Sequence, residues 1–302
     1  MSILIDDHTT VLVQGITGRE GSARARFMLD YGTRVVCGVT PGRGGSTVWG
    51  LPVYDTVRDA IDAQGPVDAS VTFVPAPQVR DAAFEAISAG IGLVLVPAER
   101  VPLHDSLEIV TFARQQGAIV IGPGSMGVLS AEKAALGWLG GSEDNARRVF
   151  RPGPVGVASR SGGGTSTVVW NLTQAGLGIT TAVHLGSEQV LGLSLPEILP
   201  LFERDDETKA VALFCEIGTV AEEEAAEVIR QGGFTKPATA FIAGKALPSG
   251  IRFSHASAMV EKGRGSAESK VKAFLDAGVH VVDQPHEMVS VLKRLLKGED
   301  VS

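Results

Sequence analysis

Cysteine is scarce in this chain: Cys37 and Cys215 are the only two, far apart and each inside an apolar segment. Their spacing argues against a disulfide framework or a cysteine metal cage and suits reduced, buried thiols, so a reducing cytoplasm is the expected compartment. Positive charge is also short, with 27 Lys and Arg against 34 Asp and Glu and a formal net charge of -7. A nucleic-acid or anionic-membrane surface needs clustered cations, so neither partner is expected and any bound anion must be held locally. With no basic patch beside them, Trp49, Trp138 and Trp170 read as packing residues rather than stacking platforms. No apolar run approaches membrane-spanning length, and Met1 to Asp7 carry neither a basic stretch nor a long apolar core, so neither insertion nor export is expected.

What the chain does have is 302 residues, 44% of them hydrophobic, enough for two ordinary domains. Short apolar runs alternate with amphipathic ones, the pattern of parallel sheets covered by helices on both faces. Strands are predicted at 11–14, 34–39, 69–74, 93–96 and 118–121, with a short extended piece at 51–54. Helices are predicted between them at 20–30, 56–64, 78–89 and 103–116. The polar stretch 142–148 and the Arg151 to Pro154 turn read as a linker, which divides the chain into domains over 1–148 and 149–302. The alternation then restarts, with strands predicted at 155–159, 180–185, 210–215, 238–242 and 280–282 and helices at 166–175, 195–204, 221–231, 267–277 and 286–297. The fold class is therefore α/β: a Rossmann-like doubly wound sheet followed by a flavodoxin-like one.

Two glycine-rich turns join strands to helices. The first, Gln14 to Gly21, carries Thr17, Gly18, Arg19 and Glu20 and aims backbone N–H groups and a helix N-terminus at an anion. Its spacing is G-x-x-G-x-x-G, not the dinucleotide G-x-G-x-x-G, and the second strand ends in Thr40, Pro41, Gly42 and Arg43 where a carboxylate would bind a free ribose 2′-hydroxyl. Arg43 could instead pair with a ribose phosphate, as in CoA or NADP. A tight turn with a solvated arginine fits the same residues. The second turn, Ser159, Arg160, Ser161, Gly162, Gly163, Gly164 and Thr165, makes another anion cradle.

His255 sits among small residues, Ser254, Ala256, Ser257 and Ala258, where a large ligand can approach an imidazole closely. A nucleophilic histidine would explain the second cradle, because a phosphorylated imidazole is a dianion that needs donors around it. Glu216, at the predicted end of a strand, could orient the other ring nitrogen; a helix-start acid facing the dipole is the plainer alternative. Among the remaining histidines only His184, at a strand end, could reach such a site. Glu222, Glu223 and Glu224 open a predicted helix and read as a solvated, dipole-complementing face.

These segments together resemble the α subunit of succinyl-CoA synthetase and its relatives among the nucleoside-diphosphate-forming acid-CoA ligases, including malate-CoA ligases. The matches run in order through MSILID at 1–6, QGITG at 14–18, GVTPGRGG at 38–45, GLPV at 50–53, VPAP at 74–77 and SRSG at 159–162. They resume with EIG at 216–218, AEEEA at 221–225, IAG at 242–244 and SHA at 254–256. The resemblance implies CoA binding by Thr17, Gly18, Arg19, Glu20 and Arg43, with Val96, Pro97 and Ala98 lining the same site. It implies transient phosphorylation of His255 supported by Glu216. It also implies an ATP-grasp β subunit that binds ATP or GTP with Mg and completes a heterodimer or heterotetramer acting on a small carboxylic acid.

Departures from the family pattern cluster around the substrate. GPNCPG becomes GPGSMG at 122–127, SGTLTYE becomes SGGGTST at 161–167, and GGD is replaced around Gly186, Ser187 and Glu188; at the CoA site lysine gives way to Arg43, which keeps the charge with a different geometry. With these contacts gone, the second carboxylate of a succinate would be held differently. The expected activity is acyl-CoA formation through phosphohistidine. Its rivals are a CoA-binding regulatory or scaffolding subunit without turnover and an NADP-dependent oxidoreductase, the latter lacking an evident acid-base pair.

Overall fold

The computed structural model describes residues 2–245 and 265–299. The chain separates into two compact units, one built from Leu4–Arg147 with Val190–Leu193, the other from Arg148–Gln189 and the described residues from Ser194 onward.

The first unit runs β1 (Thr10–Gln14), α1 (Arg19–Tyr31), β2 (Arg34–Val39), β3 (Thr47–Val48), β4 (Leu51–Tyr54), α2 (Val57–Gln64), β5 (Ala69–Thr72), α3 (Val79–Ser88), β6 (Leu93–Leu95), α4 (Leu103–Gln116), β7 (Ile119–Ile121), β8 (Gly127–Ser130), β9 (Ala134–Gly137) and α5 (Glu143–Val149). Its sheet order is β3-β4-β2-β1-β5-β6-β7, all parallel except β3 against β4. The chain leaves β1 toward β2 and later returns to β1's other side as β5, so the loops above these strands diverge and leave a crevice. Beneath it, Leu12, Cys37, Val39, Val94 and Val120 from the strands, with Val96 just past β6, pack with Val79, Ala83, Ile87 and Ile109 from α3 and α4 in one buried cluster.

The second unit runs β10 (Pro152–Ser159), α6 (Gly162–Gln174), β11 (Ile179–His184), α7 (Leu195–Arg204), β12 (Ala210–Glu216), α8 (Ala221–Arg230), β13 (Ala238–Ala243), α9 (Ala267–Asp276), β14 (His280–Val282) and α10 (Met288–Leu295). These five strands are parallel in the order β14-β13-β12-β10-β11, the flavodoxin arrangement, with its crevice between β10 and β12. Apolar β-branched residues fill strands covered on both faces, as a parallel sheet requires. Under β10 the ring of Phe202 lies so near the backbone that a Cβ at Gly156 would stand 2.4 Å from it, so a side chain there would have to displace that buried ring.

The α/β architecture is the expected one, with two local departures. Four-residue strands β8 and β9 form an antiparallel hairpin whose Ala- and Gly-rich sequences show no clear alternation, and its turn places Glu132 at φ 59. The polar stretch expected as a linker forms α5. Its Arg147 donates to the carbonyls of Asp30 and Tyr31 at 3.0 and 2.9 Å, covering the end of α1 where helix carbonyls lack partners. Its charges are anchors, which composition alone does not distinguish from solvated ones.

Candidate active site

The turn from β1 into α1 is an open cradle. Gly15 has φ 76, and a Cβ there would stand 2.3 Å from the Phe73 carbonyl oxygen; a Cβ at Gly21 would stand 2.1 Å from the Gly15 carbonyl oxygen. Both glycines are required because the turn is pressed between β5 and its own helix. Gly18 is the N-cap residue of α1, and no side chain caps the helix, so its N-terminal N–H groups face outward. Above them lies a cavity of about 600 Å³ lined by Thr17 and Gly18 together with Thr40, Pro41, Phe73, Val74, Pro75, Gln78 and Asp81. Its floor is braced by buried Gln14, which donates to Ala82 O at 3.0 Å and accepts from Ser70 at 2.9 Å.

Arg19 and Glu20 follow on the exposed start of α1, and Glu20 is paired with Arg24 at 3.3 Å. Arg43 is exposed on a turn in which its N–H bonds Thr40 O at 3.0 Å and its carbonyl accepts from Ser46 Oγ at 2.6 Å. Val96 is fully buried in the core cluster, while Pro97 and Ala98 are half-buried beyond β6. The lining residues that glycine spacing does not reveal, Phe73, Val74 and Pro75, follow β5 directly; the signal for them is the VPAP segment at a strand's C-terminal end.

The turn from β10 into α6 is closed. Ser161 caps α6 by accepting from the Gly164 N–H at 3.2 Å, and Gly162, Gly163, Gly164 and Thr165 form the first turn of the helix instead of a loop before it. The Ser159 hydroxyl donates to Ser161 O at 2.9 Å and that of Thr165 to the same oxygen at 2.8 Å, so these hydroxyls stiffen the turn. Arg160 is only 2% exposed. Its Nη1 donates to Thr219 Oγ1 at 2.8 Å and its Nη2 to Glu188 O at 3.2 Å, while its buried Nε makes no hydrogen bond among the described residues. That Nε lies 4.0 Å from Glu216 Oε1, both side chains 3% exposed. Glu216 ends β12 across the crevice, and His184, buried at the end of β11, is in register with Ser159. The structure thus brings Ser159, Arg160, Ser161, Glu216 and His184 to one sheet edge. His255 lies outside the described residues.

One expectation is overturned here. Glu222 is not on a solvated face: it is fully buried and ion-paired with an equally buried Lys270 from α9. Periodicity carries the signal, because Lys270 lies one turn before buried Phe274, and Glu222 three and four residues before buried Ala225 and Ala226. Burial, then the Glu222 carboxylate, push the thiol of neighbouring Cys215 well above its ordinary range, while Lys270 and Arg160 pull it back. In the first unit burial alone pushes Cys37 up to about 12.

An uncapped helix start over a large crevice and a capped one beside a buried Arg-Glu pair suit two different anions. Comparison with known proteins assigns both halves. Residues 6–100 match the CoA binding domain, and residues 152–295 match the succinyl-CoA ligase like flavodoxin domain. The chain is 44% identical to an ADP-forming succinate-CoA ligase α subunit of Archaeoglobus fulgidus, covering 98% of this chain and 100% of that one. It is 42% identical to an ADP-forming sulfoacetate-CoA ligase subunit of Bilophila wadsworthia, again over 98% and 100%. The solved ATP citrate lyase of Methanothrix soehngenii, in complex with citrate and coenzyme A, superposes with a TM-score of 0.90 at 27% identity. That match covers 99% of this chain, which spans about half, 52%, of the lyase chain. The chain belongs to the succinate-CoA ligase α-subunit family, a CoA-binding domain followed by a flavodoxin-like ligase domain.

Proposed function

We propose that this chain is the phosphate-carrying subunit of an acid-CoA ligase that forms acyl-CoA from a small carboxylic acid, CoA and ATP or GTP. The observation that carries the reading is the buried Arg160 and Glu216 pair at the β10/β12 crevice, in a chain whose SHA segment supplies His255. The imidazole of His255 attacks the γ-phosphorus of the nucleotide, forming a P–N bond as the bond to the departing diphosphate breaks. Glu216 accepts the N–H of the other ring nitrogen, which strengthens the nucleophile and balances the charge on the phosphorylated ring. The phosphoryl group is bound by the N-terminus of α6 and by the Arg160 guanidinium. A substrate carboxylate then takes the phosphoryl group, and the CoA thiol displaces phosphate from the acyl phosphate.

CoA sits in the open cradle, its phosphates on the N–H groups after Gly18 and its ribose phosphate on Arg43, with Arg19, Glu20, Pro97 and Ala98 at the margins. The nucleotide and its Mg belong to an ATP-grasp β partner; the twofold length of the lyase chain supports a second half of that size. Succinate, sulfoacetate and citrate, named in the relatives, all carry a further anionic group, and we assign the acid to that class. The SGGGTST segment favours a second reading, a CoA-binding subunit without turnover.

The test is His255→Ala in the co-purified complex given labelled ATP. Acid-labile label should vanish while CoA binding persists. Label retained by the variant removes the mechanism, and a wild-type complex that binds CoA but takes up label from neither ATP nor, in a parallel run, GTP selects the second reading.

A further inference from the structure

The segment from Glu216 to Thr219 is a strained turn. Gly218 has φ 87, and Thr219, a β-branched residue, has φ 53, a conformation such side chains avoid. Strain of this kind persists only where the surroundings over-determine it. Three contacts do so. Lys270 Nζ, with no exposure, donates to Gly218 O at 2.6 Å and pairs with Glu222. The Gly218 N–H donates to Gly265 O at 2.8 Å, and the Gly265 N–H donates to Glu223 Oε1 at 3.2 Å, an oxygen that also accepts from Ser269 Oγ at 2.9 Å. From the other side, Thr219 Oγ1 accepts from Arg160. Gly265, at φ 72, fits so closely that a Cβ would stand 2.3 Å from Thr219 O.

A buried ion pair is a poor source of stability, since well-packed apolar residues of the same size do as well or better. What an apolar pair cannot do is hold a carbonyl at a fixed point. We infer that Lys270, neutralised by Glu222, is a positioning residue: it fastens Gly218 O so that the strained turn presents Thr219 to Arg160 and Glu216 to the phosphorylation site. This rests on the reading of Glu216 above. Lys270 and Glu222 touch no reacting atom; they act through the turn, and α8 and α9 are the arms of the clamp.

The test uses the complex co-purified with its partner, carrying the neutral pair Glu222→Gln with Lys270→Met, plus a milder variant, Glu223→Gln. Hydrogen exchange at the Gly218 and Gly265 amides should speed up by about tenfold or more in the double variant, with β10 and β12 unaffected. Phosphoenzyme formation from labelled ATP should slow by about a hundredfold, as a catalytic group displaced by about 1 Å implies. The KM for CoA should stay unchanged. Glu223→Gln should shift the same two readouts in the same direction by about threefold, and remains informative if the double variant does not fold. Unchanged exchange, or faster exchange with an unchanged phosphorylation rate, overturns the inference. Slowed phosphorylation accompanied by an equal loss of CoA affinity overturns it too, since that marks general loosening. If wild-type complex takes up label from neither ATP nor GTP, the phosphohistidine reading fails, and with it the catalytic purpose of the clamp; the exchange readout separately decides whether the clamp exists.

Discussion

Each unit has a strand-to-helix turn at the reversal point of its sheet, and the two are built in opposite ways. In the first, Thr17 to Glu20 are exposed, no side chain caps α1, and Gly15 and Gly21 stand where a Cβ would run into neighbouring backbone. In the second, Ser161 caps α6, neighbouring hydroxyls are tied into the turn, and a buried arginine faces a buried glutamate. The first turn leaves the helix start uncapped, which suits a large ligand that arrives from solvent and leaves again. In the second, Ser161 takes up the Gly164 N–H, and Arg160 is fixed by Thr219 and Glu188 with its Nε left unbonded among the described residues, a preorganised setting that suits a small dianion formed and consumed in place. One helix-terminus motif is therefore built in two ways, and the side chains around it make the difference.

The widest gap between the turns should appear on removing a charge. Arg160→Leu removes a buried guanidinium that bonds Thr219 and Glu188 and lies 4.0 Å from Glu216, and urea unfolding should show a loss of about 3–5 kcal/mol. Arg43→Leu in the exposed turn should leave stability within about 0.5 kcal/mol. It should erase the preference for CoA over dephospho-CoA, a difference of about tenfold for a charge-assisted phosphate contact in water. A calorimetric preference that survives Arg43→Leu would place the ribose phosphate elsewhere.

Steric tests come next. Gly21→Ala drives a methyl into the backbone of Gly15, 2.1 Å away, whereas Gly164→Ala meets the ring of Phe214 at 2.6 Å. A ring can rotate or shift; a turn pinned between strand and helix cannot. We expect about 3 kcal/mol for the first and about 1 kcal/mol for the second, with CoA affinity lost only in the first. Equal costs would mean that the closed turn is as unyielding as the open one.

The thiols allow a comparison by pH. Both are held protonated in the folded state above the range of an unfolded cysteine, whose ordinary value is 9.0. The unfolded chain then loses protons that the folded chain keeps, so stability is full below pH 9 and falls as pH rises toward about 12 for Cys37, by about 1.4 kcal/mol per pH unit for each thiol. Cys37→Ala should remove its share of this alkaline slope, measured as melting temperature against pH. A slope unchanged in that variant would show that Cys37 is not held protonated by its core.

Much of this architecture is legible in the residues themselves. Alternating apolar runs place most strands and helices of both sheets, because parallel strands buried on two faces can hardly be written otherwise. The glycines at 15 and 21 announce the open cradle for the same reason: only they fit it. Legibility fails where a polar residue is buried by a partner distant in sequence. Glu222 looks like helix-start decoration until Lys270, nearly fifty residues later, is seen beside it. Arg147 looks like linker until it meets the carbonyls of Asp30 and Tyr31. Strands β8 and β9 fail for a different cause, since their Ala- and Gly-rich sequences show neither a β-branched run nor a clear alternation. His255 is legible as a motif, by its small neighbours, and its role rests on that motif.

The smallest effects test the capping contrast directly. Ser161→Ala deletes the side chain that accepts from Gly164 N–H, and should cost about 1 kcal/mol in thermal unfolding. Gly18→Ser makes the opposite change, giving α1 the cap it lacks. Serine and glycine differ by only a few tenths of a kcal/mol at this position, and a Cβ at Gly18 comes to 3.3 Å of Gly15 O, so stability should barely move. Binding should move more. A serine hydroxyl that accepts from the N–H groups of the first turn competes with a phosphate for them, and CoA affinity should fall severalfold while Ser161→Ala leaves it alone. If Gly18→Ser binds CoA as tightly as before, the N–H groups of α1 are not the phosphate donors, and the open turn owes its emptiness to packing against β5 alone.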